Sequence, residues 1–227
     1  MATTNAPILA LDTASPTVSL ALGDGRSVLA ERTLQLRQSS ERLLESLHDM
    51  LGETGVPLTD LRGVAVLAGP GSFTGLRVGL GTVLGLHQAL GLPAVALPTL
   101  AVLAAAGAEA HGLRDGDGVV AAVDAIRGEW MIQTFVLEGG VPQPVDLPVL
   151  KAAEQLADVG HPLAGFGVDE LPGGGRRWSP ESLAATALRA AARLREWDPG
   201  TLVRPVYFRP PATTPPKRAP RPQRSEP

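Results

Sequence analysis

One stretch constrains this chain more than any other: Gly69-Pro70-Gly71-Ser72-Phe73-Thr74-Gly75-Leu76-Arg77-Val78-Gly79, running on to Gly91. It follows Val64-Ala65-Val66-Leu67, a short apolar run of the kind that makes a buried strand, closed by turn residues. Ser72 fits the N-cap position, and no proline interrupts the segment until Pro93. The reading is therefore strand, Gly-Pro-Gly turn, long helix.

That helix is unusual. Arg77 is its one charged residue when His87 is neutral, so it has no broad face for water. It also carries Gly75, Gly79, Gly81 and Gly85, each costing up to ~1 kcal/mol against alanine in a helix. Together they cost roughly 4 kcal/mol, comparable with the net stability of a small domain. Something must offset this. Gly75, Gly79, Thr82 and Ala89 form a smooth stripe where another backbone can approach closely, with Leu76, Leu80, Val83 and Leu90 to one side. A helix apolar nearly all round is buried all round. One face is expected on its own sheet and another against a partner. Two other readings stand beside this one: a helix buried wholly within its own domain, and an anion cradle at the helix N-terminus. The cradle lacks the Lys-Ser or Lys-Thr of a phosphate loop, and its spacing misses the dinucleotide fingerprint. A membrane span is interrupted by Arg77, His87, Gln88, Pro93 and Pro98.

Taken in order, Ile8-Leu9-Ala10-Leu11 ends in Asp12-Thr13, and Val18 to Leu22 alternates toward the hairpin signal Gly23-Asp24-Gly25. A third strand is expected near 27–36. Ser39 or Ser40 caps the next helix, with Leu43, Leu44, Leu47, Met50 and Leu51 on one face. After the long helix come a short strand at Ala94-Val95-Ala96 and a helix capped by Thr99. This βββαβαβα order describes one α/β unit. Gly112 to Gly118 is turn-rich and reads as a boundary. Beyond it Val119 to Val123 again ends in an aspartate, Asp124, and strands follow at 131–137 and 145–149. A helix is expected at 152–157, a weak strand at 163–166, and a last helix from Ser179-Pro180-Glu181 to about Trp197. The strand–Asp–strand opening thus occurs twice. The expected lobes are 1–111 and 112–209, and 210–227 reads as a disordered tail with seven prolines and four cations against Glu226.

Composition removes several classes. The net charge is −3, which does not suggest a globally basic nucleic-acid binder, and cysteine is absent, which removes disulfides and thiol catalysis. Residues 1–7 show no signal-peptide pattern, so the cytoplasm is the default expectation. His48, His87, His111 and His161 have no metal-ligand spacing, and no Gly-x-Ser-x-Gly elbow occurs. The strand-end aspartates Asp12 and Asp124 are what a two-lobed nucleotide clamp uses to orient a metal-phosphate. A small ATP-binding phosphotransferase or hydrolase built on these two is the enzyme alternative.

Five segments resemble the bacterial TsaB (YeaZ) family: Ile8-Leu9-Ala10-Leu11-Asp12-Thr13-Ala14, Ser40-Glu41-Arg42-Leu43-Leu44, the Gly69–Gly79 stretch, Val123-Asp124-Ala125, and Pro205-Val206-Tyr207-Phe208-Arg209. The resemblance implies an α/β, two-lobed actin/sugar-kinase/Hsp70-like fold, each lobe a mixed sheet with helices. It implies a non-catalytic dimerisation subunit in making threonylcarbamoyladenosine at tRNA adenosine 37, for tRNAs that read codons starting with A. The implied partners are a TsaD-type transferase and a TsaE-type ATPase, with tRNA reached through the complex; whether the chain alone is a homodimer or a monomer stays open. TsaD-like proteins carry a His-x-x-x-His metal pair on the helix corresponding to 39–51; here His48 stands alone. The family pairs through its two N-lobe helices, here 40–51 and 72–90. The expected interface is Leu43, Leu47, Met50, Gly75, Arg77, Val78, Gly79, Gly81, Thr82 and Gly85, with Asp12, Thr13 and Asp124 as a vestigial nucleotide site. No cofactor or metal is expected in the chain itself; whether ATP or ADP sits at the partner interface stays open.

Overall fold

The structure is a computed structural model that describes residues 6–34 and 39–207. The tail expected at 210–227 lies outside the described residues.

The first sheet is laid down by β1 (Ile8–Asp12), β2 (Val18–Gly23) and β3 (Val28–Leu34), an antiparallel meander turned by Ser15-Pro16 and by the loop around Gly25. Helix α1 (Ser39–Thr54) then crosses to β4 (Gly63–Leu67), and α2 (Phe73–Leu90) to β5 (Ala94–Leu97). Helical crossovers return the chain in the same direction, so β4 and β5 run parallel to β1, giving the order β3-β2-β1-β4-β5. β1 and β2 are buried along their whole length, because helices cover both faces.

α3 (Thr99–His111) leads into the second sheet: β6 (Gly118–Asp124), β7 (Glu129–Glu138), β8 (Val141–Pro144), β9 (Val149–Ala152), β10 (Leu163–Ala164) and β11 (Arg177–Trp178). Its order is β11-β10-β6-β7-β8, with β9 also paired to β7. Counted within the lobe this is again third-second-first-fourth-fifth, with the outer edge strand split in two. α3 lies along β6 and β10, so close to β10 that a Cβ at Gly107 would collide with the Ala164 methyl. On the opposite side Val120, Ala122, Trp130 and Ile132 form a smaller cluster with Leu156 and Val168, from two 3-10 turns.

The chain then reverses. α4 (Ala184–Arg193) packs on β1 and β2 of the first sheet, not on the second. The Ala184 amide donates to Ser19 Oγ at 3.3 Å, fixing the covered face. By register Ala10, Ala21 and Ala65 share that face. Buried Ala184, Ala187 and Ala191 meet them, so helix and sheet approach as closely as methyl groups allow. α2 covers the other face, since Gly79 sits over Val66. The lobe expected over 112–209 therefore ends earlier: residues 183–207 complete the first lobe, whose core contains Leu183, Leu188 and Leu202.

Local expectations also needed correction. The last helix begins at Ala184, not Ser179, whose hydroxyl instead accepts from the Gly167 amide at 2.8 Å. The helix expected at 152–157 is a 3-10 turn, and the strand at 145–149 is replaced by β8 and β9. Pro98 occupies the N-cap of α3, and Thr99 is its first residue.

Candidate functional site

Where the Gly-Pro-Gly-Ser-Phe-Thr-Gly turn meets the end of β1, most of its residue types acquire a reason. Ser72 caps α2, accepting from the Gly75 amide at 3.2 Å, and its own amide donates to the Ala14 carbonyl at 2.7 Å. A Cβ on Gly71 would strike the Ala14 carbonyl, one on Gly75 the Thr13 carbonyl, and one on Gly79 the Thr13 hydroxyl. The first turns of α2 thus press directly on the β1–β2 turn. Gly69 has φ 99° and precedes a cis peptide to Pro70. Its carbonyl accepts from the Thr99 amide at 2.8 Å. A side chain there would also collide with the Val206 carbonyl, while the Val206 amide donates to Ala68 at 2.8 Å. The Phe73 ring lies 5.0 Å from Tyr207, and the Arg77 guanidinium sits 4.0 Å above Phe73. The stretch joins the β1 turn, the start of α3 and the returning segment at one point.

Asp12 closes β1 and is fully buried. Its Oδ1 accepts from the Ala14 and Ser15 amides at 2.9 and 3.1 Å, while Thr13 Oγ1 has no partner among the described residues. Burial pushes its carboxyl up to about 6, against the lowering effect of the Ser15 side chain and of the Ser15 and Ala14 backbone N–H groups. Asp124 is exposed, and its Oδ1 accepts from the Ile126 amide at 2.7 Å, bracing a left-handed turn at Ile126 and Arg127. One aspartate is sealed and the other is a turn brace. No three His, Asp or Glu side chains among the described residues come together as metal ligands.

The expected interface residues divide. Leu43, Leu47 and Met50 are buried in their own lobe, on the face of α1 that packs on β3, so they do not present an outward surface. Gly75 and Gly79 also turn inward: the chain's own Thr13 approaches them, through its carbonyl at Gly75 and its side chain at Gly79. Arg77, Gly81 and Gly85 are exposed, and Val78 and Thr82 half-buried. A Cβ at Gly81 or Gly85 would meet nothing among the described residues. Leu44, grouped with the inward face of α1 on periodicity, is 58% exposed. Sequence reasoning missed the Phe73–Tyr207 and Arg77–Phe73 contacts; the aromatic residue in Pro205-Val206-Tyr207 was the available signal.

Two sheets of order 3-2-1-4-5, each opening on an antiparallel hairpin with an aspartate at its first strand's end, define the actin/sugar-kinase/Hsp70-like class. Residues 28–169 match the family described as TsaD: tRNA N6-adenosine threonylcarbamoyltransferase. The tRNA threonylcarbamoyladenosine biosynthesis protein TsaB of Bacillus subtilis is 32% identical over 168 residues, 71% of each chain. Its Escherichia coli counterpart is 38% identical over 122 residues, covering 54% of this chain and 52% of that one. Among solved structures, YeaZ from Pseudomonas aeruginosa superimposes with a TM-score of 0.73 at 28% identity, over 89% of this chain and 100% of that one. The chain belongs to the TsaB (YeaZ) family. Its match spans about half the length of the E. coli relative. No helix among the described residues is long and apolar enough to cross a membrane.

Proposed function

We propose that this protein is a non-catalytic subunit of the assembly that places threonylcarbamoyl on adenosine 37 of tRNAs reading codons that start with A. In this reading it docks a TsaD-type transferase through the outer face of α2, flanked by α1. A TsaE-type ATPase and the tRNA join through that assembly, which operates in the cytoplasm; the same face pairs two copies when the partner is absent. The observation that carries the reading is the open, small-residue surface of Gly81 and Gly85 beside Arg77, Val78 and Thr82. Glycines that cost helix stability and touch nothing among the described residues suit a face that another helix approaches closely. The names of the matched relatives place those proteins in threonylcarbamoyladenosine biosynthesis. That Asp12 is sealed while Asp124 is exposed and braces a turn supports a scaffold over a phosphotransferase.

The test is titration calorimetry against a TsaD-type protein, with and without ADP. Gly81→Leu and Gly85→Leu point into open space and leave the fold intact, but overpack a docked helix. The expected loss in affinity is about 5- to 150-fold, the equivalent of ~1–3 kcal/mol. Wild-type affinity in both folded variants would remove α2 from the interface. The isolated protein is expected to turn over no ATP.

A further inference from the structure

A cleft of about 730 Å³ lies away from α2, between α3, α4 and the β7–β8 turn. This is within the range of small-ligand pockets, most of which are concave, largely apolar and set with a few convergent polar groups. It runs along α3, from Pro98 through Ala101 and Ala105 to Glu109 and Gly112, a spacing that traces one helix face. The thirteen residues of α3 make that face about 20 Å long. Ala190, Leu137 and Val141 form the opposite wall. The small residues leave the cleft open: Ala101, Ala105 and Ala190 are half-buried, and Val141 is 37% exposed.

The polar groups gather toward the C-terminal end of α3. Arg189 is paired with Glu109 at 2.9 Å, and Arg193 donates to the Gly140 carbonyl at 2.9 Å. The Arg114 guanidinium makes no hydrogen bond or ion pair among the described residues. Three arginines thus line the cleft against a single carboxylate, Glu109. Asp115 and Asp117 lie outside the lining and accept from the backbone amides of Gly139, Gly140 and Arg114. An apolar trough ending in arginines with unused donors matches an extended apolar body with an anionic head.

We propose that this cleft is a binding site for an elongated amphipathic carboxylate, its chain along Ala101, Ala105 and Ala190 and its head on Arg114 and Arg193. α3 packs against β6, β7, β8 and β10 of the second sheet and α4 against β1 and β2 of the first, so such a ligand braces elements of both sheets against each other. This site is independent of α2 and of the docking reading.

The probe is decanoate, titrated into the full chain and followed by calorimetry and amide chemical shifts, with decanol and decyltrimethylammonium as neutral and cationic counterparts. Saturable 1:1 binding of decanoate is expected, about tenfold or more tighter than either counterpart, as the loss of a charge-assisted contact implies. Shifts should concentrate at Ala101, Ala105 and Ala190. Ala105→Trp fills the trough and should abolish binding; Arg114→Gln should bring decanoate and decanol to similar affinity. If Ala105→Trp does not fold, the wild-type shift map decides. Shifts elsewhere, binding unchanged by Arg114→Gln, or equal binding of the cationic counterpart would overturn the assignment.

Discussion

At the scale of the single residue, Asp12 separates the two roles a strand-end aspartate can have. Its carboxylate holds a buried turn together through two backbone amides, yet burial opposes its charge. With the folded-state value pushed up to about 6 from an ordinary 3.8, the folded chain holds the proton to higher pH than the unfolded chain does. The stabilising contribution of this group is therefore complete below the unfolded value and is lost as pH rises through the folded one. Between those limits the chain should lose about 3 kcal/mol of stability from this residue alone. Asp12→Asn keeps an acceptor for the Ala14 and Ser15 amides and cannot ionise. Urea unfolding at pH 4 and pH 7 should show wild type falling relative to the variant, and parallel curves would show that Asp12 titrates normally. Asp12→Asn should also leave reconstituted tRNA modification close to wild type; a loss of about 10²-fold or more with assembly intact would mark a catalytic group.

At the scale of the element, α2 has two kinds of glycine that periodicity alone grouped in one helix. Gly75 and Gly79 are required by the chain's own Thr13, whereas Gly81 and Gly85 are open. Alanine at Gly75 should cost ~1–3 kcal/mol through overpacking. Alanine at Gly81 or Gly85 should stabilise the isolated protein by up to ~1 kcal/mol, since it removes a helix-disfavouring residue without a clash. Denaturant midpoints for the three variants would test this, and a destabilised Gly81→Ala would mean that the face is occupied within the chain. The sequence made α2, the Ser72 cap and the opening meander legible, because each rests on local signals: a capping hydroxyl, an apolar run, a hairpin turn. It did not reveal which α2 face was already taken, because Thr13 lies more than sixty residues before Gly75 and Gly79 and packing at that separation leaves no mark on period. Leu43, Leu47 and Met50 illustrate the same limit: their spacing identified an apolar stripe correctly, but could not say that β3 was its destination. α4 was placed too early because Ser179-Pro180-Glu181 imitates a helix start, while the Ser179 hydroxyl is engaged by Gly167.

At the scale of the whole molecule, the returning segment makes the two lobes one structure. Leu183, Ala184, Ala187, Leu188 and Ala191 are all fully buried, and they cover the small-residue face of β1 and β2. Residues 1–111 expressed alone should therefore lack a native fold, exposing a face that the intact chain seals. The full chain should unfold in a single transition, seen alike by tryptophan fluorescence and far-ultraviolet circular dichroism. Two resolved transitions would mean that the lobes are separable after all. The return also has a consequence in time. The Gly69 turn supports the first turns of α2, and it is clasped by Val206 and Tyr207, which are synthesised more than a hundred residues after it. A ribosome that stalls between the end of α2 and that clasp releases a polypeptide with every surface residue of α2 and no finished platform to hold them. Assembly through this face would thus double as proofreading for chain completion, admitting a subunit only after its last contacts have closed over its first strands.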